Sequence, residues 1–154
     1  MVLSFLLQTT LTTLKDTEKF AQKLAACLKA GDCLALQGSL GAGKTTLARA
    51  LLRALGVSED VPSPTFSLAQ HYDTNLGLAV HFDFYRIKDK RELEELGFDE
   101  ALSDSLVLIE WPACAQSFLP KQTLWITMRM IGKTRHVTLQ SADHTWENRL
   151  REAL

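Results

Sequence analysis

Charge of one sign is what this chain most clearly lacks: 17 Lys and Arg stand against 18 Asp and Glu over 154 residues. A near-neutral total gives no overall electrostatic pull toward nucleic acid, which argues against a large autonomous nucleic-acid surface and leaves composite contact open. Cysteine is sparse. Cys27, Cys33 and Cys114 lie far apart among apolar residues, with no metal-ligand spacing, and read as reduced core thiols of a cytosolic protein. The four histidines, His71, His81, His136 and His144, are also scattered. They support neither a histidine-rich metal site nor a nucleophilic triad. No run approaches the length of a membrane span. The apolar start Met1-Val2-Leu3-Ser4-Phe5-Leu6-Leu7 has no basic leader and gives way to polar Gln8-Thr9-Thr10. It is expected to form a first strand or a packed terminal arm, and the protein is expected to be cytoplasmic. Internal repeats and low-complexity segments are missing too, and the length suits one domain over residues 1–154.

Against these absences stands one dense motif. Gly38-Ser39-Leu40-Gly41-Ala42-Gly43-Lys44-Thr45 fits G-x-x-x-x-G-K-[ST], a loop that holds nucleotide phosphates. Such a loop lines an anion with backbone N–H groups, its lysine reaches the outer phosphates, and its hydroxyl residue reaches Mg²⁺. The context agrees. Cys33-Leu34-Ala35-Leu36-Gln37 reads as a short buried strand, and Thr46 to Leu55 carries a strong helix pattern ended by Gly56. Strand, glycine loop and helix in that order aim the first helical amides and the helix dipole at the phosphates. The candidate nucleotide-binding set is therefore Gly38, Ser39, Leu40, Gly41, Ala42, Gly43, Lys44, Thr45 and Thr46. Thr46 either lines the inner phosphates or caps the local backbone. The plain alternative for the whole motif is a glycine-rich turn with an incidental lysine.

The rest of the chain alternates helix and strand signals. Thr13 with Asp16 fits a capping box that opens a helix running to about Ala30, with Phe20, Leu24, Cys27 and Leu28 on one stripe. Val61-Pro62-Ser63-Pro64-Thr65 reads as extended and restrained. Phe66 to Tyr72 and Leu78 to Phe84 read as an antiparallel pair, because the turn between them is too short for a helical crossover. Short helices are expected over Asp89 to Leu96, Phe98 to Leu102 and Ala113 to Phe118, and a buried strand over Leu106 to Ile109. Thr123 to Met130 and Thr134 to Leu139 read as strands across a turn, and Asp143 to Leu154 as a closing helix. This pattern predicts one layered α/β domain with a mixed sheet flanked by helices.

A magnesium site needs acids beyond the loop. Glu110 follows the strand Leu106-Val107-Leu108-Ile109, and sites in open α/β sheets gather outside the carboxyl ends of strands. Its carboxylate can organise the metal shell or orient water. Asp83 lies in His81-Phe82-Asp83-Phe84-Tyr85-Arg86, where alternation puts His81, Asp83 and Tyr85 on one face. It is a second acid for the site or a hydrogen-bonded polar edge. Thr65, after two prolines, either senses a terminal phosphate and its Mg²⁺ or simply caps a strand. Arg86 either engages phosphate or an acid, or is solvated. Trp111 packs on a base or on the catalytic edge, or is a core tryptophan held beside Pro112. The run Lys88 to Glu95 is the wet side of a helix or a partner surface.

Taken in order, these landmarks resemble the TsaE family, formerly YjeE, bacterial P-loop ATPases needed for threonylcarbamoyladenosine modification of tRNA. The resemblance rests on Gly38 through Thr46, Ser63-Pro64-Thr65-Phe66, His81-Phe82-Asp83-Phe84-Tyr85-Arg86, Glu92-Leu93, Leu96-Gly97 and Leu108-Ile109-Glu110-Trp111-Pro112. It implies that Lys44 and Thr45 serve ATP and Mg²⁺, and that Thr65 belongs to a switch-like loop. It further implies that Asp83 and Glu110 are the acids of the active centre and that Trp111 is their functional neighbour. The partners it implies are the TsaD and TsaB proteins, with tRNA as the substrate of their assembly. Threonylcarbamoyl transfer then belongs to TsaD, and ATP hydrolysis supports repeated turnover. Ser39 stands where the family commonly has an acid, and Ala113 also replaces one. Two rival classes remain: an ATP-dependent regulatory switch without hydrolysis, and a small-molecule P-loop kinase. The kinase lacks a recognisable arginine-rich lid here, and a GTPase lacks an N-K-x-D-like segment.

Overall fold

The computed structural model describes residues 2–154. Among these, seven strands form one mixed sheet: β1 (Ser4–Leu11), β2 (Cys33–Gly38), β3 (Ala69–Thr74), β4 (Gly77–Asp83), β5 (Leu106–Glu110), β6 (Leu124–Ile131) and β7 (Thr134–Ser141). Their spatial order is β1-β7-β6-β2-β5-β4-β3. The centre is parallel, with β2 between β5 and β6 and β4 beside β5, while β1–β7, β6–β7 and β3–β4 are antiparallel. The expected α/β architecture is the observed one.

Alternation along the strands divides the core in two. Leu34, Leu36, Leu106, Leu108, Leu124 and Ile126 face α1 (Leu14–Cys27) and α2 (Lys44–Ala54), whose buried stripes include Phe20, Leu24, Leu47 and Leu51. Cys33, Ala35, Val80, Phe82, Val107 and Ile109 face α3 (Arg91–Glu95), α4 (Phe98–Asp104) and a 3₁₀ turn over Pro112–Phe118. Phe82, Phe84 and Phe98 meet there with ring centroids 5.2–5.3 Å apart, two of the three contacts edge-on. The closing helix α5 (Thr145–Arg151) buries Trp146 and Leu150 against the first layer. No helix among the described residues is long and apolar enough to cross a membrane.

Two expectations need correction. The helix opened by Thr13 ends at Cys27 rather than near Ala30. Leu28 turns extended and is buried, while Arg149 from α5 donates to the Cys27 carbonyl at 2.7 and 3.1 Å and pairs with Asp32. A distant cation thus satisfies the helix end. The strand expected from Phe66 starts only at Ala69. The Leu68 N–H closes a turn onto the Pro64 carbonyl at 2.7 Å, and Leu68 adopts φ 66°, which ends any extended run before it. Phe66 is left 81% exposed.

Candidate active site

The parallel centre decides where chemistry can gather. The loop after β2 leads into α2, while β4 and β5 deliver Asp83 and Glu110 as directly paired residues at their carboxyl ends. Both acids fall on the face toward α2 by the same alternation that turns Phe82 and Ile109 away. Their burial follows, with Asp83 and Glu110 each 3% exposed.

Gly38 and Gly43 show why this loop needs glycine. Gly38 adopts φ 153°, and a Cβ there would sit 2.4 Å from the Met128 carbonyl oxygen of β6. Gly43 adopts φ 103°, and its Cβ would meet the Arg135 side chain at 2.8 Å. The loop then folds its own lysine inward. Lys44 Nζ donates to the carbonyls of Gly38 at 2.7 Å and Ser39 at 2.9 Å, and lies 3.9 Å from the Trp111 ring centroid. Burial pushes the Lys44 ammonium below the ordinary lysine value, and the Glu110 and Asp83 carboxylates oppose that shift. A lysine held in this way keeps its donors pointed at the loop it serves.

The acids are held by hydroxyls. Thr45 Oγ1 donates to Glu110 Oε1 at 2.7 Å, and Thr65 Oγ1 donates to Asp83 Oδ2 at 3.0 Å. Ser63 Oγ lies 2.7 Å from Thr65 Oγ1, and the Tyr85 N–H donates to Asp83 Oδ1 at 2.9 Å. The segment from Ser63 to Leu68 is docked here by the Asp83 N–H, which donates to the Leu68 carbonyl at 3.0 Å. Trp111 adopts φ 56° and ψ 60° as the chain leaves β5, an uncommon backbone for a bulky residue. That turn sets its indole between Lys44 and Tyr85, whose ring centroid lies 4.8 Å away.

A cleft of about 310 Å³ gathers most of the expected residues: Leu40, Gly41, Gly43, Lys44, Thr45, Thr46, Thr65, Asp83, Glu110 and Trp111. Gly38 and Ser39 take part through their carbonyls, whereas the Ala42 methyl is buried in the core and Leu40 is 80% exposed on the rim. Arg86 lies elsewhere, stacked 4.4 Å over the Phe66 ring. Three cleft neighbours were not among the site residues expected from the sequence. Ser63 also lines the cleft. Arg135 of β7 donates to the Ala42 carbonyl at 3.2 Å and lines the cleft, a placement only strand pairing reveals. His81, fully buried, faces Glu110 Oε2 through Nε2 at 2.7 Å. Its signal was the period-two spacing that puts it one pleat from Asp83.

Among the described residues no group of three or more His, Cys, Asp and Glu forms a metal cage. The cleft instead offers hard oxygen donors, the Thr45 hydroxyl with Asp83 and Glu110. Mg²⁺ suits such a set, since it keeps several waters and takes one or two carboxylates alongside substrate phosphates.

A glycine loop joining a parallel strand to a helix, with acids at the ends of the neighbouring strands, defines a P-loop protein of the nucleoside-triphosphatase fold class. The family model described as threonylcarbamoyl adenosine biosynthesis protein TsaE matches residues 11–137, and the chain belongs to that family. Curated relatives carry the name tRNA threonylcarbamoyladenosine biosynthesis protein TsaE. The one from Rickettsia prowazekii is 37% identical over 129 residues, covering 83% of this chain and 90% of its own length. The one from Streptomyces coelicolor is 39% identical over 137 residues, covering 83% and 92%. The crystal structure of YdiB from Bacillus subtilis matches with a TM-score of 0.81 and 28% identity, over 99% of this chain and 96% of that one.

Proposed function

We propose that the cleft binds ATP with Mg²⁺ and transfers the terminal phosphoryl group to water, and that this hydrolysis drives turnover of a TsaD–TsaB assembly making N6-threonylcarbamoyladenosine in tRNA. The observation that carries the reading is the 2.7 Å bond between Thr45 of the phosphate loop and Glu110 at the end of β5. It brings a phosphate-binding element and a buried acid into one reacting volume. The tRNA threonylcarbamoyladenosine biosynthesis for which these relatives are named supports the biological half.

The residues divide the work by position. Loop amides and Lys44 offset charge on the outer phosphates as the bridging bond breaks. To reach them, the Lys44 ammonium exchanges the Gly38 and Ser39 carbonyls for phosphate oxygens, while Trp111 keeps one side of it dry. Thr45, Glu110 and Asp83 would hold Mg²⁺, which supplies charge neutralisation and orientation of the phosphates. Glu110 orients the attacking water, and Thr65, tied to Asp83, reports the terminal phosphate to the Ser63–Leu68 segment.

Phosphate release measured with TsaD, TsaB, tRNA and Mg²⁺–ATP tests this directly. Free phosphate is expected, and Glu110→Gln lowers its rate about a hundred-fold or more while nucleotide stays bound. No release from folded protein in the full assembly would overturn hydrolysis. A phosphorylated small molecule in place of phosphate would make the protein a kinase. Undiminished tRNA modification by Glu110→Gln would make it a switch.

A further inference from the structure

The two oxygens of Glu110 have different neighbours. Oε1 accepts from the Thr45 hydroxyl on the nucleotide-facing loop, and Oε2 faces His81 Nε2, each at 2.7 Å. Thr45 belongs to the element that must rearrange when phosphates and a cation arrive. His81 belongs to β4, inside the sheet, with no exposed surface.

Among the described residues, His81 Nδ1 is buried and has no hydrogen-bond partner. If Nδ1 carried the only proton, Nε2 and Oε2 would confront each other as two acceptors at 2.7 Å. The 2.7 Å contact therefore calls for a proton on Nε2, which donates to Oε2.

We infer that His81 is a positioning residue for Glu110: it anchors Oε2 from within the sheet, so that Oε1 alone passes between Thr45 and the reacting centre. The inference rests on the hydrolytic reading. A glutamate carries three rotatable torsions, and a carboxylate released by Thr45 without a second anchor samples many orientations. Misplacement of a water-orienting oxygen by about 1 Å is enough to cost a hundred-fold in rate. By anchoring Oε2, His81 keeps Oε1 in place through the step in which Thr45 turns away. It touches neither nucleotide nor water; it acts through Glu110.

Two substitutions separate this from plain packing. In His81→Gln the terminal amide nitrogen reaches about as far as Nε2, whereas in His81→Asn it stops near the Nδ1 position and cannot reach Glu110. In the full assembly, His81→Asn is expected to lower kcat for phosphate release about ten- to a hundred-fold. Its Kd for Mg²⁺–ATP should stay within about three-fold of wild type, because His81 lies inside the sheet and reaches the nucleotide only through Glu110. His81→Gln is expected to recover most of the rate. A readout free of catalysis accompanies this: ¹⁵N imidazole NMR of the nucleotide-free protein should report the Nε2–H tautomer, with its signal moving in Glu110→Gln. Equal rates for the Gln and Asn variants, or an Nδ1–H tautomer, would overturn the role of His81 with hydrolysis intact. A wild-type assembly that binds ATP and releases no phosphate would remove the hydrolytic reading, and the positioning role with it.

Discussion

At the scale of single residues, the site works by close approach. Gly38 is the tightest point, because β6 runs parallel beside it and brings the Met128 carbonyl to 2.4 Å from where a methyl would sit. Gly38→Ala is therefore expected to force the loop off the sheet, lowering stability by about 1–3 kcal/mol and weakening nucleotide binding. Gly132→Ala is the control. It has φ 63° and open space around it, so it should cost only the left-handed conformation, about 1–2 kcal/mol, with binding unchanged. Thermal unfolding and ATP titration of the two variants check the contrast. A Gly38→Ala protein with wild-type affinity would contradict the close-packed loop. The loop residues, Asp83 and Glu110 were legible in the sequence as candidates for one cleft because motif spacing and strand position are local signals, whereas Thr65 and Trp111 stood open on their residues and rested on the ordered resemblance. Arg135 was not legible, since its place beside Ala42 and Gly43 depends on pairing between β1, β6 and β7. The His81–Glu110 bond likewise depends on which strands are neighbours.

At the scale of elements, helix starts were readable and ends were less so. The capping box of α1 is complete: the Asp16 N–H donates to Thr13 Oγ1 at 3.1 Å, and Asp16 Oδ2 accepts from the Thr13 and Thr12 N–H groups at 2.9 and 3.0 Å. Those backbone donors, Thr13 before Thr12, hold the Asp16 carboxyl below its ordinary value of 3.8. A depressed acid stabilises the fold above its unfolded value, and that contribution fades as pH falls through the folded one. Thr13→Ala is expected to cost about 1 kcal/mol at neutral pH in denaturant unfolding. The stability gap between wild type and Asp16→Ala should close as pH drops below 3.8. A gap that widens in acid would refute the box. The far end of α1 was hidden because its last carbonyl is satisfied by Arg149, 122 residues away in sequence. The late start of β3 was hidden because Phe66 and Ser67 have strand-like composition but sit in the turn that docks Thr65 on Asp83. Tertiary contact there overrode local propensity.

At the scale of the whole molecule, the sheet separates two cores, and its centre should open last. Burial pushes the Cys33 thiol on β2 from 9.0 up to about 12, while Cys114 within the 3₁₀ turn is half-buried and shifted upward by the same cause. A thiol reagent at about pH 8 is expected to label Cys114 first and Cys33 only as the fold opens. The raised value also carries a sign: the folded chain keeps the Cys33 proton between 9.0 and about 12 while the unfolded chain loses it. Its stabilising contribution is complete below 9.0 and declines as pH rises across that window, a slope that Cys33→Ala should lack. Early labelling of Cys33 would contradict a closed central strand. The layered α/β architecture was readable from alternating helix and strand signals and the short turn paired β3 with β4, but the order of the central strands was not, because no local pattern states which non-consecutive strand lies beside which. That order matters, for it alone sets the glycine loop, Asp83 and Glu110 around one cleft. Calorimetric titration of the folded protein with Mg²⁺–ATP, together with its Lys44→Ala variant and repeated with TsaD and TsaB, tests that convergence most directly. Saturable one-to-one binding by the wild type, lost or weakened at least ten-fold in Lys44→Ala, is the predicted result; no heat of binding from intact wild-type protein even beside TsaD and TsaB would contradict it.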